Sequence, residues 1–224
     1  MEALKFRLSH IKCVEETNEV GSDEPYVLVF IGANLIFGPD RYNVTNLLRY
    51  GPFNNTDKGE RKPGPSTTLA SFFDTSEFLN MEGRRLARSL VFKPEDFFVI
   101  IALIEHDNSS LNEIYEEVRK SMTDLYNSKT SAEKETQNQE EIKNALLAEM
   151  RSAIKRKINN DWVNDDEIIN IKHLDLRPSA SNNNTNFILE ALNGNPQLIG
   201  FTGQNMFKGD GGRYEVFISL KKED

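Results

Sequence analysis

Two apolar runs constrain the fold of this chain most. Residues 26–37 read Tyr-Val-Leu-Val-Phe-Ile-Gly-Ala-Asn-Leu-Ile-Phe, and residues 97–104 read Phe-Phe-Val-Ile-Ile-Ala-Leu-Ile. Both are rich in β-branched and aromatic residues, both are bounded by polar turns, and neither approaches the roughly 20 residues that cross a bilayer. They read as buried strands. An amphipathic strand precedes them, with Leu4, Phe6 and Leu8 alternating before Ile11 and Val14. Residues 38–68 are rich in Gly, Pro, Asn and Asp and read as a long surface connection with a short strand near 44–48. Phe72, Phe73, Phe78 and Leu79 have to be buried, but their period fits neither element.

The periodicity changes after residue 110. Leu111, Ile114, Val118, Met122 and Leu125 are spaced 3-4-4-3, and Ile142, Leu146, Met150, Ile154 and Ile158 continue a second stripe. Each is one face of an amphipathic helix. Ser109 or Ser110 is the expected cap, and the polar stretch 128–140 joins the two into a hairpin. Strand patterns resume at 168–176 and 187–192. Gly209-Asp210-Gly211-Gly212 then turns between Met206-Phe207 and Tyr214–Ile218. Strands without regular helix alternation predict a mainly β, antiparallel β-sandwich over 1–107 and 161–224, with a two-helix hairpin inserted at about 108–160. No internal repeat is present.

The composition bounds function. The 224 residues are 38 % hydrophobic and 28 % charged, with a formal charge of −8 and a pI near 5.1. That overall charge argues against a nucleic-acid partner, which selects for a basic face. Cys13 is the sole cysteine, so no intrachain disulfide forms. No apolar leader opens the sequence, so a cytoplasmic protein, or export without a cleaved signal, is expected. His10, His106 and His173 lack metal-ligand spacing, and no nucleophile–base pair or nucleotide loop is present. The expectation is a non-enzymatic protein. The Asn-x-Ser/Thr triplets at Asn43, Asn54, Asn108 and Asn183 are expected from chance in an Asn-rich chain.

The acids are placed less evenly. Gly21-Ser22-Asp23-Glu24-Pro25-Tyr26-Val27-Leu28-Val29 runs an acidic turn into a strand, and Ile104-Glu105-His106-Asp107 ends another. The first resembles the Gly-x-Ser-Asp-Pro-Tyr-Val-x-Val signature of C2 domains, less the residue after Gly and with Glu24 added before the proline. The second resembles that family's Asp-x-Asp, with Glu105 in the first place. Asn164-Asp165-Asp166-Glu167-Ile168-Ile169-Asn170 resembles the acidic element that follows, displaced beyond the helical hairpin. Asn18 stands where the first loop's Asp is usual, and Asn170 where a Gly is.

The resemblance implies a C2-like sandwich with acidic loops at one end. It implies calcium as the cofactor, with Glu19, Asp23, Glu105, Asp107, Asp165 and Asp166 as ligands, because calcium takes six to eight hard oxygens. The other reading is that these acids are solvated loop residues. The implied function is a binding module that engages a membrane surface or a protein partner. The alternative is a metal-free assembly or toxin-type effector subunit. Its interaction and oligomer surface would be the helical hairpin, where Arg151, Lys155, Arg156 and Lys157 lie near Trp162.

Overall fold

The computed structural model describes residues 3–17, 23–37, 40–64, 70–71, 97–106, 110–129, 139–158, 166–174, 185–192, 195–209 and 212–223. The ambiguous apolar stretch at 72–92, the second polar break at 179–184, Trp162, and the acids Glu19, Asp107 and Asp165 lie outside them.

The described residues are mainly β, with two antiparallel sheets and two helices. One sheet has the order β4-β1-β10-β9-β8, with β5 also pairing β1. It is made of β1 (Ala3–Glu15), β4 (Arg61–Pro63), β5 (Ala70–Ser71), β8 (Thr185–Leu192), β9 (Asn195–Gly209) and β10 (Gly212–Glu223). The other has the order β3-β2-β6-β7, from β2 (Tyr26–Phe37), β3 (Asp40–Tyr50), β6 (Phe97–Glu105) and β7 (Glu167–Leu174). Helices α1 (Leu111–Ser128) and α2 (Gln139–Lys155) enter between β6 and β7.

The apolar runs are explained by what covers each face of the second sheet. In β6 all nine residues are buried. Phe97, Val99, Ile101 and Leu103 face the first sheet, where they meet Leu8, Ile11, Phe207, Val216 and Ile218. The alternate residues, Phe98, Ile100, Ala102 and Ile104, meet Ile114, Val118, Met122, Leu146 and Met150 of the helices. β2 divides the same way, with Val27, Val29 and Ile31 inward and Tyr26, Leu28 and Phe30 toward the helices. A strand covered on both faces needs no polar alternation. The hairpin is therefore a third layer that shares a core with the sandwich, rather than an appendage at its edge.

Local chemistry fixes that layer. Ser110 caps α1 by accepting from the Glu113 N–H at 3.4 Å, the Ser-x-x-Glu arrangement that satisfies an orphan donor. Tyr115 donates its hydroxyl to the Leu47 carbonyl at 2.9 Å, and Arg49 donates to Asn112 at 2.9 Å, so α1 is stitched to β3. Gly32 is the small residue over which Tyr126 lies: a Cβ there would stand 2.8 Å from the ring.

The two sheets approach closely along β7 and β9. Ile169 is bulged out of the β6–β7 register, and Asn170 Nδ2 donates to the Lys208 carbonyl at 2.9 Å. A Cβ on Gly209 would stand 1.9 Å from the Ile169 carbonyl oxygen, which is why the chain needs glycine there.

Candidate functional site: an acidic pole at one end of the sandwich

β1 ends, β2 begins, β6 ends and β7 begins at the same pole, because the pairing is antiparallel throughout. Glu105 stands opposite Glu167 in the β6–β7 ladder, which carries Asp166 to the end of β6 although the hairpin separates them in sequence. On the other side, Glu105 Oε1 accepts from the Glu24 N–H at 3.2 Å. The turn before β2, the end of β6 and the start of β7 are thus neighbours. Asp107 and Asp165 each follow or precede a residue held here, and Glu19 lies in the segment between Thr17 and Asp23.

The three described acids of the expected ligand set are all buried: Asp23 at 3 %, Glu105 at 2 % and Asp166 at 3 % exposure. Their surroundings differ. Asp23 is fully engaged inside the protein. Its Oδ2 accepts from the Thr17 N–H at 3.0 Å and from the Tyr214 hydroxyl, and its Oδ1 accepts from the Thr17 hydroxyl at 2.8 Å. Thr17 closes β1, Tyr214 lies on β10, and the Asp23 backbone bridges to Thr56. Asp23 ties the turn to the opposite sheet through both of its oxygens.

Asp166 faces His106 instead. The ring Nδ1 lies 3.2 and 3.3 Å from its two oxygens. The edge of the His106 ring meets Tyr26 at 6.0 Å between centroids. Tyr26 is fully buried and its hydroxyl has no hydrogen-bond partner among the described residues. Burial first, then the negative charge of Asp166 and, less, that of Glu105, pushes its pKa far up, so the phenol stays protonated. An orphan hydroxyl beside two carboxylates is an oxygen-lined interior without its full set of partners.

Among the described residues no group of three or more His, Cys, Asp and Glu side chains is arranged to hold a metal ion. Glu105 and Asp166 are brought to neighbouring strand ends, Asp23 adjoins Glu24 but its oxygens accept from Thr17 and Tyr214, and the remaining expected ligands lie outside the described residues. Sequence reasoning missed Tyr26 and Tyr214 as the groups that decide the roles of these acids. Tyr26 was read as a strand residue, and nothing in the pattern distinguishes Tyr214 from its apolar neighbours.

Cys13 is buried and free. Burial pushes its thiol up to about 11, so it is no nucleophile at neutral pH. The hairpin's outer face is polar and largely self-paired: Arg156 reaches Glu117 and Glu149 at 2.9 Å each, Arg119 reaches Glu116 at 2.6 Å, Lys120 reaches Asp124 at 3.0 Å, and Lys157 lies 3.8 Å from Glu113. No described helix is long and apolar enough to cross a membrane. Comparison with known protein families, with curated proteins and with solved structures gives no match.

Proposed function

We propose that this chain is a non-enzymatic, C2-like binding module whose acidic pole takes up calcium and through it engages a membrane surface or a protein partner. The observation that carries this reading is the buried Tyr26 hydroxyl without a partner, lying in the field of Glu105 and Asp166. Two carboxylates and a phenol are hard oxygen donors, the chemistry calcium prefers. Glu105 and Asp166 would hold the ion from the end of β6 and the residue before β7, with Asp107, Asp165 and Glu19 as the further expected ligands. Asp23 takes no part, because its oxygens already accept from Thr17 and Tyr214. His106 has to swing away from Asp166, so calcium and the imidazole compete for the same carboxylate. Bound calcium supplies positive charge at this end of an acidic protein and so a means of recruiting anionic groups.

Thermal unfolding in EDTA, in millimolar calcium and in millimolar magnesium tests this. A ligand that binds only the folded state at about 100 times its dissociation constant adds roughly 2.7 kcal/mol. For a chain of this size that is a rise of about 5–10 °C. The rise is expected with calcium alone, lost in Glu105→Gln/Asp166→Asn, and retained in Asp23→Asn from a lower starting point. No rise, or the same rise with magnesium, overturns the calcium reading.

The metal-free assembly reading has its own support, but not at the hairpin. The helical apolar stripes are spent on the second sheet, and Arg119, Lys120 and Arg156 of the outer face are paired with carboxylates of the same helices.

A further inference from the structure

The hairpin covers the outer face of one sheet, and among the described residues nothing packs against the outer face of the other. That face is set by register. A bulge at Ser9 keeps Leu8 inward and turns His10 outward, so His10 pairs Phe217, Lys12 pairs Glu215, and Arg61 of β4 pairs Lys12. On β9, Met206 stands opposite Glu215 and Lys208 opposite Arg213.

The centre of this face is apolar and its surround cationic. The His10 and Phe217 rings stack at 3.9 Å, and the Arg61 guanidinium lies 5.9 Å from the Phe217 centroid. Burial, then the Arg61 charge, lowers the His10 pKa, so the stack is uncharged near neutral pH. Met206, 38 % exposed, is the sole large exposed hydrophobic among the described residues. Arg7, Arg61 and Lys208 are exposed and have no carboxylate partner among the described residues. Lys12 reaches Glu215 only at 3.5 Å and Arg213 reaches Glu15 only at 3.9 Å. Directly opposed like charges destabilise a sheet, yet the register opposes Arg213 to Lys208. An apolar centre with an arginine and a polar rim is the anatomy of a protein interface. Glu15 and Glu215 offset only part of its positive charge, and the excess calls for an acidic occupant.

The same molecule carries one. At the acidic pole the Glu24 N–H donates to the buried Glu105, and Glu16 accepts from the Lys58 N–H of the turn that carries Asp57. The Thr56 N–H donates to the Asp23 carbonyl at 2.8 Å and the Phe53 N–H to the Pro25 carbonyl at 2.9 Å, which holds the 53–58 turn there. At physiological salt charges are felt over about 8 Å, so the local sign of each surface outweighs the net −8.

We propose that the outer face of the β4-β1-β10-β9 sheet docks the acidic pole of a second copy of this chain. The two surfaces differ, so the contact is heterologous and propagates head to face rather than closing as a two-fold dimer. Strand spacings give a patch about 15 Å wide and about 27 Å long from Arg213 to Lys221. That is about 400 Å² a side, the class of weak, salt-sensitive contacts.

Sedimentation equilibrium of the full chain in EDTA, at tens to hundreds of micromolar, reads this without any dependence on calcium. At 20 mM salt the average mass is expected to climb beyond a dimer with concentration, and at 500 mM salt to remain that of a monomer. Arg61→Ser/Lys208→Ser should be monomeric alone, and so should Glu24→Gln/Asp57→Asn. Mixed, each still holds one intact surface, and they should form one-to-one dimers and nothing larger, which also shows that both are folded. A wild-type monomer at low salt overturns the proposal, as does assembly that survives both double variants. Binding of the face to anionic vesicles or to an oligonucleotide, without self-association, assigns it a different occupant and overturns it equally. The calcium reading fails or stands by its own thermal shift.

Discussion

The Tyr214 hydroxyl on β10 donates to the Asp23 carboxylate at the mouth of β2, so one buried bond joins two sheets across 191 residues of sequence. The other donors to Asp23, the Thr17 amide and hydroxyl, come from the end of β1. Three donors compensate a carboxylate that would otherwise be costly to bury.

Tyr214→Phe and Asp23→Asn are each expected to destabilise the protein by about 1–3 kcal/mol, because each leaves a buried partner poorly satisfied. Their double variant should cost less than the sum, with a coupling of about 0.5–3 kcal/mol. Urea unfolding midpoints measure the cycle, and strict additivity would mean that the pair does not act as a unit.

Alkaline pH should destabilise the fold. Burial raises Cys13 from 9.0 to about 11 and Tyr50 from 10.0 to about 12, and it raises Tyr26 and Tyr214 further. Above pH 9 the unfolded chain releases protons that the folded chain keeps, so the unfolded state binds fewer and stability falls as pH rises. The stability these groups contribute is full below pH 9 and is lost progressively from there to about pH 12. Urea midpoints at pH 8, 9.5 and 10.5 should fall in that order, and Cys13→Ala should flatten the first part of the decline.

Gly32→Ala tests how closely the helical layer is seated. The new methyl would stand 2.8–3.0 Å from the Tyr126 ring, so strand or helix has to move. A loss of about 1–3 kcal/mol is expected. Tyr126→Leu in the same chain should recover part of it, which a loss arising from the strand backbone alone would not allow.

Removing residues 111–158 should not leave a folded sandwich. It would expose Leu28, Phe30, Phe98, Ile100, Ala102 and Ile104, which now meet the helices. A contiguous apolar face of that kind aggregates. The shortened chain is expected to be insoluble or to bind a hydrophobic dye strongly; a soluble chain with a cooperative transition would count against the shared core.

Tyr26→Phe separates two accounts of the pole. In EDTA, loss of a hydroxyl without a partner should leave stability unchanged or raise it by up to about 1 kcal/mol. If that hydroxyl supports calcium, the same variant should show a smaller calcium-induced rise in Tm than the wild type.

The strands that carry the core were legible in the sequence because their composition is extreme. The runs at 26–37 and 97–104 correspond to β2 and β6, and the two stripes to α1 and α2, with Ser110 at the expected cap. β3 is longer than the expected 44–48, because Asp40–Arg41 and Asn43 pair along β2 while looking like loop residues. β9 starts at Asn195, well before the expected strand at 206, because Gly200 and Gly203 interrupt any alternation. The hairpin was expected, but not the surface it covers: periodicity tells which side of a helix is apolar, not what lies against it. The acidic pole was legible as a concentration of charge. The division of labour within it was not, because a carboxylate's role depends on donors such as Tyr214 that lie far away in sequence.

The pairing of β1 with β10 has a further consequence. Ala3 meets Glu223 and Leu8 meets Ile218, so β1 has its principal partner only after some two hundred more residues have been made. Loop closure on that scale comes late, and sheets closed by distant strands fold slowly. During synthesis β2 and β6 emerge before either helix that will shelter them, and fully apolar strands waiting for a cover are prone to associate with one another. The yield of this protein should therefore respond to the rate of translation and to chaperones that hold extended chains. Fragments that stop short of β10 should be lost to aggregation rather than accumulate as stable domains.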